Sequence, residues 1–175
     1  MKIIKNNSGI SILEVIVAIM IITMGMVGVL SLVVQNVQAQ YINKNVLMAA
    51  GLAQEGLELV RNIRDLNWLT PGNDWDKDIV GAGADYTYTI DYNGPVINTT
   101  VNSLNDASAR LYVNSNGFYT HTVTASSTNF YRLITVAVVP IDATHDYLDV
   151  KCTIRWKDGG VNHDYTAETY LYNWK

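Results

Sequence analysis

Polar and apolar positions divide this chain into three stretches with different periods. From Val15 to Val34 there are 20 residues without a charge, softened only by Thr23, Gly25, Gly28 and Ser31. A run of that length predicts a bilayer-crossing helix, because 20 residues rising about 1.5 Å each cover the roughly 30 Å hydrocarbon core. Beyond it Val37, Tyr41, Met48, Leu52, Leu59, Ile63 and Leu66 recur at steps of three, four or seven, the single stripe of an amphipathic helix. Asn45 and Gly56 fall on the same stripe, where a close approach to the next layer is expected. Pro71-Gly72-Asn73 ends the pattern, so one helix is expected from about Ile10 to Leu66.

After Pro71 the period drops to two. Tyr86, Tyr88, Ile90 and Tyr92 alternate with Thr87, Thr89 and Asp91. Leu111 and Val113 precede an Asn114-Ser115-Asn116-Gly117 turn and Phe118 to Thr122 follow it, which reads as a hairpin. Phe130 to Val139 reads as a longer, more continuously apolar strand. Asp149 to Trp156 and Val161 to Tyr172 flank Asp158-Gly159-Gly160, a second hairpin signal. Closely spaced strands imply an antiparallel sheet, and a sheet needs one face covered. The helix stripe supplies the cover. The expected fold is therefore α+β: a long N-terminal helix, its first half transmembrane, packed on an antiparallel β-sheet.

Composition narrows the function classes. The 175 residues carry a net charge of −4 and only 16% charged residues. From Gln35 onward ten Lys/Arg face fifteen Asp/Glu, so the C-terminal part is mildly acidic and nucleic acid is not an expected partner. The lone cysteine, Cys152, excludes an intrachain disulfide. It alternates in step with Ile154 and Trp156, which predicts a small buried core residue.

The start of the chain needs its own account. A secretory signal would end its shorter apolar stretch at a small-residue cleavage site. Here the stretch is too long, and Gln35-Asn36-Val37-Gln38-Ala39-Gln40 continues a helical pattern. An ordinary anchor fits the length, and the positive-inside rule places Lys2 and Lys5 in the cytoplasm and the chain after Gln35 outside. An ordinary anchor leaves Glu14 unexplained, since a carboxylate at the bilayer centre costs on the order of 3 kcal/mol and less near the edge. A glutamate at the membrane interface, with Lys2 and Lys5 nearby, is the simplest structural alternative. Gly25, Gly28 and Ser31 suit either close packing of small residues or a helix soft enough to stretch.

Met1-Lys2-Ile3-Ile4-Lys5-Asn6-Asn7-Ser8-Gly9 followed by Ile10-Ser11-Ile12-Leu13-Glu14 resembles the class III signal of type IV prepilins and pseudopilins. The family pattern is a short basic leader ending in glycine, a cut on its C-terminal side, and glutamate as fifth residue of the mature chain. Gly9 and Glu14 match; Ile10 stands where the family prefers Phe or Met. The segments Ala53 to Asp65 and Val150 to Trp174 resemble, more loosely, the heads of PilV-like minor pilins, although the paired-cysteine loop of many pilins is absent.

The resemblance implies a structural subunit, a minor pilin of a type IV pilus or related filament. A pseudopilin of a secretion or competence system, or a single-pass anchored surface-binding domain, is the alternative. It implies cleavage between Gly9 and Ile10, N-methylation of Ile10, and an assembly role for Glu14 against the N-terminal amine of a neighbouring subunit. The implied partners are other pilin subunits through the N-terminal helix, a prepilin peptidase and an inner-membrane assembly platform. The implied location is the cytoplasmic membrane with the N-terminus inside, then an extracellular or periplasmic filament. The corresponding divisions are a leader over 1–9, a transmembrane and assembly helix over 10–34, an amphipathic half over 35–70 and a β-rich head over 71–175.

Other candidate chemistry is sparse. Asp74, Asp76 and Asp78 alternate as at the start of a calcium loop, but Ile79 stands where such a loop has its glycine and no closing glutamate follows. A solvated acidic turn explains the same residues. His121, His145 and His163 match no zinc spacing and no catalytic triad, so neither enzyme activity nor a cofactor is expected. Lys151, Arg155 and Lys157 alternate on one strand face and are the only local basic candidates for DNA. Trp156 and Tyr88 belong to core-facing patterns, whereas Trp68, Trp75 and Trp174 lie near element ends and could line a sugar- or surface-binding patch.

Overall fold

The structure is a computed structural model that describes residues 9, 11–81, 85–92, 94–98, 101–124, 126–141 and 146–173. Its contacts divide the chain into two units, Met1–Lys44 and Asn45–Lys175. One helix, α1 (Ile12–Leu69), contributes to both. Strands follow in the order β1 (Asp85–Asp91), β2 (Gly94–Asn98), β3 (Arg110–Val113), β4 (Tyr119–Thr120), β5 (Ser126–Pro140), β6 (Asp146–Asp158) and β7 (Val161–Tyr172), with a short 3-10 turn at Ala107–Ala109. The architecture is α+β in a pilin-like arrangement, a long N-terminal helix whose second half packs on a six-stranded antiparallel sheet; β2 pairs only with β1.

β5 organises the sheet. Along one edge it pairs with β6 from Phe130↔Trp156 to Pro140↔Asp146. Its other edge is shared end to end: β1 pairs at Ala137 to Ile134, and β3 pairs at Tyr131 to Ser126. β6 continues into β7 through Gly159-Gly160, with Asp158 opposite Val161. Both glycines have positive φ, 55° and 89°, which a two-residue turn matched to strand twist demands and a side chain would resist. β3 and β4 form the hairpin expected around Asn114 to Gly117; the Asn114 side-chain oxygen accepts the Asn116 and Phe118 amides at 2.9 and 3.0 Å.

The core lies between α1 and one sheet face. Tyr88 and Ile90 of β1, Phe130, Ile134 and Val136 of β5, and Leu148, Val150, Cys152, Ile154 and Trp156 of β6 meet Ala49, Leu52, Ala53, Leu57, Val60 and Ile63 of α1. Each aliphatic side chain fully buried there contributes about 1.5–3 kcal/mol. A second small cluster, Val101, Ala109 and Leu133, covers part of the opposite face. The adjacent Leu133 and Ile134 of β5 are thus buried on opposite sides of the strand.

The buried helix positions are Ala49, Leu52, Ala53, Gly56, Leu57, Val60, Ile63 and Asn67. Leu52, Gly56 and Ile63 belong to the expected stripe, whose Met48 and Leu59 pack half-buried at the edge of the core. The buried face is wider than expected on the side of Ala53, Leu57 and Val60. Leu66 lies outside it and is 50% exposed, and the helix runs on to Leu69. Val37 and Tyr41 are exposed as well, and both belong to the first unit.

Gly56 is the point of closest approach between helix and sheet. A Cβ there would sit 2.6 Å from Cys152 Sγ and 3.3 Å from Arg132 Cδ, so only glycine fits. Cys152 is fully buried, and burial pushes its thiol up to about 12, the state of an inert packing residue rather than a reactive one.

α1 ends against its own loop. Asn67 is buried, and its amide donates to the carbonyls of Trp75 at 3.3 Å and Lys77 at 2.7 Å. Thr70 donates to Leu66 O at 2.9 Å, closing one terminal carbonyl that has no helical partner.

Candidate functional site

The first unit has the clearest chemical signature. Within α1 one segment is long and apolar enough to cross a membrane, and none of it is buried by the rest of the chain. From Ile12 to Val34 the large apolar side chains are exposed by between 45% (Val15) and 81% (Ile12). Water cannot be the intended surroundings of so large an apolar surface, since exposed patches of this kind mark membrane or protein contacts. Thr23 Oγ1 donates to Met20 O at 2.9 Å, which removes a donor from the lipid phase. No heavy atom lies within 4 Å of a Cβ built on Gly25 or Gly28, so the close packing expected there requires a second helix.

Glu14 sits in the first turn of α1 and is exposed. The Ser11 carbonyl accepts the Glu14 and Val15 amides at 3.0 and 3.2 Å, which starts the helix just ahead of it. A carboxylate there faces amides without helical partners and the positive end of the helix dipole, a stabilisation of about 0.3–1 kcal/mol. Glu14 is the only charged residue from Gly9 to Gln40. Gly9 is exposed, with open space around it. Ile10, the expected new N-terminus and methylation position, lies outside the described residues.

No family model, curated protein or solved structure matches this chain. The likeness to prepilins therefore rests on the residues from Lys2 to Glu14 and on the fold.

Asp74, Asp76 and Asp78 lie in a tight turn in which Lys77 N–H donates to Asp74 O and Ile79 N–H to Asp76 O, at 3.2 and 3.0 Å. Ile79 is fully buried and Asn67 holds the loop carbonyls, so packing and hydrogen bonds set the course of the turn. Burial raises the Asp76 carboxyl above its ordinary value, with the charges of Asp146 and Asp74 adding to the effect. Among the described residues no group of three His, Cys, Asp or Glu side chains is placed to hold a metal ion.

Two of the three basic candidates on β6, Lys151 and Arg155, are engaged by carboxylates, and Lys157 is exposed. Arg155 makes a two-pronged pair with Asp164 at 2.7 and 2.6 Å and reaches Asn105 at 3.0 Å. Lys151 donates to Asp149 at 2.7 Å, with Glu168 at 3.7 Å. Both cations are raised above their ordinary values by these partners, and Asp164 is lowered by Arg155. Phosphate would have to displace them. His163 stacks on Trp156 at 5.4 Å between ring centres, on the sheet face opposite Asp164, so that adjacent pair is not a dyad. His145 and Trp174 lie outside the described residues.

Two groups were not legible in advance. Arg132 is fully buried, with Glu55 at 3.1 Å and the Ile90 carbonyl at 2.9 Å. Its alternation with Phe130 and Ile134 was the signal, since that places it on the core face. The second group joins β1 to the end of β4. Asp91 accepts from His121 N at 2.7 Å and from Thr120 Oγ1 at 2.8 Å, and meets His121 Nδ1 at 2.7 Å.

Burial alone would raise the Asp91 carboxyl; hydrogen bonds from the His121 side chain and backbone and from Thr120 overcome it and hold it at about 2. A carboxyl lowered from its ordinary 3.8 stabilises the fold fully above that value, and the gain is lost as pH falls towards 2. The size is roughly 2 kcal/mol. Asp91→Asn should therefore be less stable than the parent by about that amount at pH 6, with the gap closing by pH 2. Thermal melts of both proteins across that range test it; a gap independent of pH would contradict the assignment.

Proposed function

We propose that this chain is the precursor of a structural filament subunit, a minor pilin of a type IV pilus or a related filament, which assembles through its N-terminal helix. The observation that carries the reading is Glu14. It is the lone charge in the bare apolar segment of α1, five residues after Gly9 and four after Ile10. A prepilin peptidase acting between Gly9 and Ile10 removes Lys2 and Lys5 and leaves an α-amine at Ile10. An ordinary α-amine has a pKa of about 7.7–8.0 and is largely protonated at neutral pH. N-methylation of Ile10 keeps that charge.

In a filament core a lone charge is costly and a paired one much less so. Glu14 of one subunit and the Ile10 amine of the next then neutralise each other only when the subunits are correctly staggered. The exposed apolar segment supplies the rest of the contact, first to the cytoplasmic membrane, with the N-terminus inside, and then to neighbouring subunits. The assembly platform of the inner membrane would carry out the transfer. The same chemistry serves a pseudopilus of a secretion or competence system. A surface-binding domain on a simple anchor would have no use for Gly9 or Glu14.

Mass spectrometry of the native protein tests the reading. The expected mature N-terminus is Ile10, with zero or one methyl group. An intact Met1-to-Gly9 leader in surface filaments would overturn it.

A further inference from the structure

The end of α1, the loop after it and Asn173 enclose an open cleft of about 360 Å³. Its walls include Trp68, Thr70, Asn73, Asp74, Trp75 and Asn173. That volume falls within the range of roughly 300–1,000 Å³ typical of small-molecule sites. Both indoles are half-buried: they reach the cleft without being absorbed into the core. Their positions are set independently of any ligand. The Arg64 guanidinium lies over the Trp68 ring at 4.4 Å, and the Trp75 carbonyl is held by the buried Asn67 amide while its side chain packs on the edge of the core. Such preorganisation lowers the cost of binding.

The chemistry of the walls selects a ligand class. Two aromatic rings offer apolar surface, while the Asp74 carboxylate accepts hydrogen bonds and the Asn173 amide both gives and accepts them; Thr70 and Asn73 are already bonded to Leu66, Asn67 and Lys77. A pyranose has this same mixture: C–H faces that pack on indole and hydroxyls that both give and accept hydrogen bonds. Anions fit poorly. Asp74, Asp76 and Asp78 crowd the loop, and its one cation, Lys77, donates to Asn73 at 3.1 Å. A quaternary ammonium would use the indoles and Asp74 but leave the amide donors idle.

We propose that this cleft is a binding subsite for a neutral hexopyranose residue of a glycan. The test uses the full chain in detergent, with tryptophan fluorescence followed during titration with glucose, galactose, mannose and N-acetylglucosamine, and separately with choline. A saturable response to at least one sugar is expected, weakened about tenfold or more by Asp74→Ala and by Asn173→Ala, as for loss of a hydrogen bond to a charged or well-placed group. Both positions are exposed, so these variants leave the core intact; their melting temperatures should match the parent's. Trp75→Ala should abolish the response. Absence of a saturable response to all four sugars, a response unchanged in the Asp74→Ala, Asn173→Ala double variant, or a response to choline alone would each overturn the proposal.

Discussion

Glu14→Leu should leave cleavage after Gly9 intact and remove the subunit from filaments. Leucine suits the apolar helix, so insertion in the membrane is unharmed, and the peptidase substrate around Gly9 is unaltered. What is lost on the proposed reading is the partner of the Ile10 amine in the next subunit. An unpaired charge in surroundings of low dielectric costs on the order of 3 kcal/mol, which is roughly a hundredfold in incorporation. Immunoblots of sheared filaments against membrane fractions would read the ratio directly. Incorporation equal to that of the parent would remove the assembly role of Glu14. Glu14→Asp should fall between the two, because the charge survives while its reach shortens.

Arg132→Ala should lower the stability of the head by about 3 kcal/mol, the low end for breaking a buried ion pair. The low end applies because Glu55, its partner, is still 36% exposed and can rehydrate. The variant also strips the Ile90 carbonyl of its 2.9 Å donor and leaves a void beside Gly56. For a chain of this size the melting temperature should drop by roughly 10 °C. Arg132→Met keeps most of the volume, and combined with Glu55→Gln it should recover much of the loss, since a well-packed apolar group can replace a buried pair. A single variant melting within the error of the parent would show that the pair contributes little.

The two variants probe different parts of the molecule, and the difference explains what could be read in advance. The membrane-length run from Val15 to Val34, the position of Glu14 and the Gly159-Gly160 turn were all legible, because each depends on local composition or on the conformation of adjacent residues. Cys152 was legible as well, since strand alternation alone puts it beside Ile154 and Trp156. The lower half of α1 was legible as a helix and largely in its facing, since Leu52, Gly56 and Ile63 are buried and Met48 and Leu59 pack at the edge of the core. What was missed is the width of the buried face, which takes in Ala49, Ala53, Leu57 and Val60 and leaves out Leu66.

Contacts distant in sequence account for the remainder. Arg132 meets Glu55 across 77 residues, and Asp91 meets His121 across 30. Strand alternation puts Arg132 on the core face, but nothing local names its partner or marks the Asp91–His121 pair, and only the packing of β5 under α1 removes the water from Arg132. The course of the loop that carries Asp74, Asp76 and Asp78 was hidden for the same reason. Buried Ile79 and the Asn67 hydrogen bonds set the course of that loop, and neither is visible in the alternation of carboxylates. The sequence by itself thus determined the apolar helix, its lone glutamate and the α+β class. Tertiary structure decided how wide a helix face is buried, which charges are paired, and that Trp68 and Trp75 share one cleft, because each of these depends on surfaces that meet only when the sheet closes over the helix.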